Sequence, residues 1–166
     1  MLTIEIAPSL ATLFSELIDG PTARGGGFML NSGDTGLVRT LATLTASDAS
    51  RSAHGGATIA AHAEHLRYGL SLMNTWAAEG GNPFADAAWD RAWQTSSVDE
   101  AAWLEIRSGL AAEAGRWRAT LGTERTVTQV ELSGMIASIA HLAYHLGAIR
   151  QIHRDARGPR EGTFVG

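Results

Sequence analysis

Apolar positions recur along this chain at spacings of three and four, and no stretch alternates apolar with polar residues long enough for a strand. The pattern predicts a first helix from about Thr3 to Asp19, with Ile6, Leu10, Leu13, Phe14 and Leu17 as its stripe. Gly20-Pro21 stops it, and Gly25-Gly26-Gly27 with Ser32-Gly33-Asp34 marks an irregular connection. A shorter helix follows over about Thr35 to Thr45, burying Leu37, Val38, Leu41 and Leu44, with Asp34 as its N-cap. After His54-Gly55-Gly56 a long helix is expected from about Thr58 to Ala78. The next segment, Glu79 to Ser96, is rich in Gly, Pro and Asp, yet Phe84, Trp89 and Trp93 predict that it packs down. Ser97-Val98-Asp99-Glu100 reads as a capping box for a helix to about Thr120, ended by Leu121-Gly122. Thr128-Gln129-Val130-Glu131 reads as a second box, opening a last helix to about Arg154, with a polar tail from about residue 155. Four long helices with a broken first connection predict an all-α fold, a helix bundle forming one domain over residues 1–166.

Composition narrows the function. The chain has 166 residues, 45% apolar and 18% charged, which is the balance of a globular domain. A net charge of −4 argues against a nucleic-acid partner held by a basic patch. Cysteine is absent, which removes disulfide scaffolds, Cys-ligated zinc, iron–sulfur clusters and a cysteine nucleophile. Glu5 lies early with no basic segment before it, so a secretory signal is not expected. No apolar run approaches the ~20 residues that cross a bilayer, so the expectation is a soluble, cytoplasmic protein without a membrane partner. The triple glycine is not a phosphate loop, because no Gly-Lys-Ser/Thr follows it.

The six histidines carry the chemistry. His141 and His145 stand four residues apart in the last predicted helix, so they share a face and can reach one metal ion. That face lies about 100° from the stripe of Leu132, Met135, Ile139, Leu142 and Leu146. Gly134, Ala137, Ser138 and Ala148 are its neighbours and leave room for a ligand. Because the helix is apolar nearly all round, its histidine face is expected to be buried. His62 and His65 fall on the apolar side of the second long helix, with Glu64, Arg67 and Ser71 opposite, towards water. Inward histidines on two helices need partners for their ring nitrogens, and a divalent metal supplies one partner to several at once. His54 and His153 read as surface or capping residues. Trp76, Trp103 and Trp117 read as core first and pocket wall second.

No His-Glu-x-x-His and no Glu-x-x-His pair occurs, which excludes zincin and carboxylate-bridged di-iron sites. A mononuclear site of histidines with open positions remains.

The segments Thr58-Ile59-Ala60-Ala61-His62-Ala63-Glu64-His65-Leu66 and His141-Leu142-Ala143-Tyr144-His145-Leu146-Gly147-Ala148-Ile149 resemble the DinB/YfiT-like superfamily of metal-dependent four-helix bundles. The resemblance covers most of the chain in helix order and spacing. Where the family usually has Gln before the final Ile, this chain has Ala148. The family places one ligand on the second helix, seven residues after the Ser/Thr that opens it, which lands on His65. The other two ligands map onto His141 and His145. His62 has no slot in that pattern and is either an outer neighbour of the metal or a competitor for it. The resemblance implies an up-down-down-up bundle, a nickel, zinc or iron ion, and a homodimer. It also implies a small-molecule substrate and a low-molecular-weight thiol cosubstrate such as mycothiol or bacillithiol.

Three functions fit these residues. The first is a metal-dependent enzyme that transfers a thiol to an electrophile or, with water in place of the thiol, a hydrolase. The second is a non-catalytic bundle, stress-linked, that binds a metal or small ligand. The third is a structural bundle with incidental histidines. No carboxylate is placed beside the histidines, since Glu131 lies about 15 Å along the helix from His141, which favours thiol transfer over hydrolysis.

Overall fold

The computed structural model describes residues 6–22 and 27–159. Among them are seven α-helices, one short 3-10 helix and no strand. The long helices are α1 (Ala7–Asp19), α4 (Ile59–Glu79), α6 (Glu100–Leu121) and α7 (Gln129–Ile152), and the short ones are α2 (Gly36–Ala42), α3 (Ala46–Ala49) and α5 (Trp89–Trp93). The architecture is all-α, as the periodicity predicts. Helices α1 and α4 each pack on both α6 and α7, so the four long helices enclose one contiguous core. Phe14, Leu37, Ile59, Trp103, Leu110 and Met135 lie at its centre.

Several boundaries differ from the sequence reading for identifiable reasons. The first helix is described from Ala7, with Pro8 in its first turn; Thr3 lies outside the described residues. Its end is the expected one. Gly20 has φ 92°, and a Cβ there would stand 2.2 Å from the Asp34 carbonyl oxygen. Gly36, at φ 71°, lies against the backbone of Ile18 and Gly20, so two glycines let the chain cross itself here. Of the triple glycine only Gly27 is described. The connection is pinned by the buried Glu16 carboxylate, which accepts backbone N–H bonds from Phe28, Met29 and Leu30 at 2.8, 2.7 and 2.6 Å.

The helix predicted over Thr35 to Thr45 is α2, which ends at Ala42, and the Thr45–Asp48 capping box then opens the further short helix α3. Asp34 is not the N-cap of α2, which is Thr35. Its carboxylate instead accepts from Gly36 N–H and from Arg150. The cap of α6 is Asp99, which accepts from Ala102 N–H, and not Ser97; Glu100 turns away and accepts from Ala46 N–H. The Thr128–Glu131 box opens α7 as expected. After α7, His153 and Ala156 are buried, and Arg157 donates to the Arg150 carbonyl.

Glu64 and Arg67 do not face open water. They pair on the side of α4 that meets α6, where Gly109 leaves room for the Arg67 side chain. Helix α7 is long and apolar enough to cross a membrane by length and composition, with mean hydropathy 1.3, although no uninterrupted apolar run of that length occurs in it. Its outer side exposes Val130, Ile136 and Tyr144.

Candidate metal centre

Thr58 caps α4 by accepting from Ala61 N–H, and this fixes the rotation of the helix from its first turn. His62 and His65 then point inward with Ile59, Leu66 and Leu70, all buried. On α7 the stripe of Met135, Ile139, Leu142 and Leu146 seats the helix on the core and carries His145 in with it. One atom each from His65, His141 and His145 lies within 4.8 Å of the others, a group that can hold a metal ion.

The contacts are closer than that limit. Nε2 of His141 stands 3.1 Å from Nε2 of His65 and 2.9 Å from Nε2 of His145. A neutral imidazole nitrogen carries either one proton or one lone pair, so His141 Nε2 cannot make two good hydrogen bonds here. A cation among the three rings satisfies all three lone pairs together. Two imidazole nitrogens bound at ~2.1 Å on a tetrahedral ion stand about 3.4 Å apart, a few tenths beyond the separations seen. The donor set can therefore hold a divalent metal ion.

Electrostatics favour the same state. Burial, followed by His141 and His62, pushes His65 down to about 4, and burial with His141, His62 and His65 pushes His145 down to about 3. Burial also lowers His62 and His141. Neutral rings offer the lone pairs that a metal needs.

His62 Nδ1 lies 2.8 Å from His145 Nδ1. If His145 presents the Nε2 lone pair to a metal, its proton sits on Nδ1 and is donated to His62, which makes His62 an outer partner of the site. His65 is held differently. Its Nδ1 is buried without a hydrogen-bond partner, and its ring is stacked on Trp93 at 4.3 Å between centroids and tilted against Trp89 at 5.5 Å. The segment from Glu79 to Ser96 does pack down, as predicted, and α5 within it forms the aromatic side of the site. Sequence reasoning misses the contact of Trp89 and Trp93 with the histidines; their four-residue spacing is the signal that could have found it.

Other site expectations differ from the structure in part. His141 is exposed, so only part of the histidine face of α7 is buried. Trp103 does not wall the site: it is fully buried and donates to the Leu44 carbonyl at 2.8 Å. Trp76 does line a cavity of about 480 Å³ that reaches His141, together with Gly134, Ala137 and Ser138. His54 is exposed in a turn, at φ 52°. His153 is a buried cap that accepts from Asp155 N–H and contacts Asp48 and Arg51.

No family model matches the chain, and neither a curated protein nor a solved structure matches it.

Proposed function

We propose that this chain is a metal-dependent enzyme of the DinB/YfiT-like kind, with His65, His141 and His145 as the ligands of one divalent ion. The observation that carries this reading is the meeting of three imidazole nitrogens, those of His65 and His145 standing either side of His141 Nε2. Three histidines leave the coordination sphere of such an ion incomplete. A divalent ion held there supplies Lewis acidity sufficient to generate a thiolate or hydroxide nucleophile at neutral pH.

The chain's own residues favour a thiol cosubstrate over water. It has no cysteine, so sulfur must arrive from outside. Among the described residues, the carboxylates nearest to the histidines along the two site helices are engaged elsewhere: Glu64 is paired with Arg67, and Glu131 is committed to the Thr128 cap. The reading includes an up-down-down-up bundle, a cytoplasmic location and a homodimer formed through the exposed apolar side of α7.

Elemental analysis of untagged protein, without chelator, tests the site. Near-stoichiometric nickel, zinc or iron is expected, lost sharply in His65→Ala, His141→Ala and His145→Ala and kept in His54→Ala. Stoichiometry near zero removes the metal reading. Cobalt substitution tests the thiol: a sulfur-to-metal charge-transfer band should appear with a mycothiol or bacillithiol analogue and grow as pH rises through the thiol's titration. If no band appears and no thiol-dependent loss of an electrophile is seen, a non-catalytic metal-binding bundle becomes the better account.

A further inference from the structure

The cavity beside His141 has a definite chemical character. Its volume of about 480 Å³ lies in the range of small-molecule sites, roughly 300–1,000 Å³. Trp76, Phe84 and Trp89 stand along it, with Trp76 and Phe84 edge to face at 5.6 Å between centroids. Trp76 lies close against α7 because position 134 is glycine; a Cβ there would meet the indole at 2.6 Å. No lining residue is Asp, Glu or Arg. The two serines that line it have already spent their protons: Ser133 donates to the Gln129 carbonyl at 2.9 Å and Ser138 to the Met135 carbonyl at 2.7 Å. Ser138 also accepts from Trp117 Nε1. Beyond these hydroxyls, the side-chain polar atoms among the described lining residues are ring nitrogens, those of His141, Trp76 and Trp89.

From this lining we infer that the cavity takes the body of a neutral, aromatic small molecule and turns its polar end towards the histidine cluster. Aromatic walls offer stacking and edge contacts to a flat ring. A carboxylate or phosphate in the same place would be desolvated with no cationic side chain among these lining residues and only ring N–H groups as donors to receive it. That the bound molecule is the electrophilic substrate rests on the metal-enzyme reading above; that the cavity selects neutral aromatic ligands does not.

The test uses the full chain, chelator-treated and zinc-loaded, with the neutral fluorophore N-phenylnaphthylamine as probe. The probe should bind both forms with enhanced, blue-shifted emission. Methyl naphthoate should displace it, and naphthoate, which has the same body and a charge, should do so about tenfold less well or worse in the chelated protein. Ala137→Trp, on an exposed lining position, and Gly69→Leu, where a Cβ meets Trp89 only at 3.8 Å, should each weaken the probe by about tenfold while zinc content is kept. Failure of the probe to bind overturns the inference, whether a second copy or the chain's own termini fill the cavity. So does equal displacement by ester and acid. If the probe binds but zinc does not, the cavity stands and the metal reading falls. If zinc binds but the probe does not, the metal reading stands and the cavity inference falls.

Discussion

His62 Nδ1 and His145 Nδ1 stand 2.8 Å apart, within hydrogen-bond distance, across the packed faces of α4 and α7. Two neutral rings joined this way have linked tautomers: when His145 donates from Nδ1, its Nε2 is a lone pair directed at His141. His62→Ala should therefore weaken metal binding by roughly 10–100-fold without abolishing it. Titration with a competing chelator measures this. If His62→Ala empties the site while His65→Ala does not, His62 is the ligand and the assignment on α4 is wrong.

Acid should release the site before it unfolds the ligand-free protein completely. The unfolded histidines titrate near 6.5, whereas His65 and His145 in the fold titrate at about 4 and about 3. Between those values the unfolded chain holds more protons than the native one, so native stability falls as pH falls. The loss begins near pH 6.5 and levels off below the folded values. Metal affinity should fall over the same range, because a proton and a metal compete for each lone pair. Urea midpoints of chelated protein at successive pH values check the sign. A midpoint unchanged from pH 7 to 5 would contradict it.

Asp34 and Arg150 form a buried pair at 2.7 Å, with the Asp34 side chain 2% exposed. The aspartate also accepts Gly36 N–H at 2.9 Å, so it ties the glycine crossing near α1 to the end of α7. Asp34→Ala leaves a part-buried guanidinium unpaired and should cost about 2–3 kcal/mol. The Asp19–Arg118 pair is the internal contrast, with side chains 51% and 45% exposed, and Asp19→Ala should cost under about 1 kcal/mol. Equal losses in urea unfolding would count against this role for Asp34.

Much of this arrangement is legible in the sequence because helices declare themselves locally. The stripe on α7 and the box at Thr128 place His141 and His145 without any knowledge of tertiary contacts. Burial of His65 also follows from its apolar face. What escapes is set by long-range partners. Asp34 resembles an N-cap until Arg150, far along the chain, claims its carboxylate. Ser97 has the capping-box spacing, but Asp99 stands closer to the helix and takes the role. The exposure of His141 depends on which side of α7 the other helices leave open, and the apolar character of that side conceals it. Trp103 cannot be told from a pocket tryptophan by spacing, since only its bond to the Leu44 carbonyl assigns it to the core.

Trp93 holds His65 in place of the hydrogen bond that its Nδ1 lacks. The two rings are stacked with planes 23° apart, and Trp93 also meets His62 edge-on at 5.3 Å, while remaining 38% exposed. Trp93→Ala should lower overall stability little, by about 1 kcal/mol for a half-exposed aromatic contact. Its larger effect should fall on the site. Without the indole, water reaches His65, the desolvation that depresses its pKa is relieved, and its titration moves up from about 4 towards 6.5. Metal affinity at pH 6 should drop by roughly tenfold through proton competition and through the freed ring orientation. Trp93→Phe should restore most of both effects, because a smaller ring can still cover the imidazole face. Histidine titration followed by NMR, beside chelator competition, separates the two contributions. If Trp93→Ala leaves the His65 titration and the metal affinity where they were, α5 is merely a cover and the ring is oriented by its neighbours on α4 and α7.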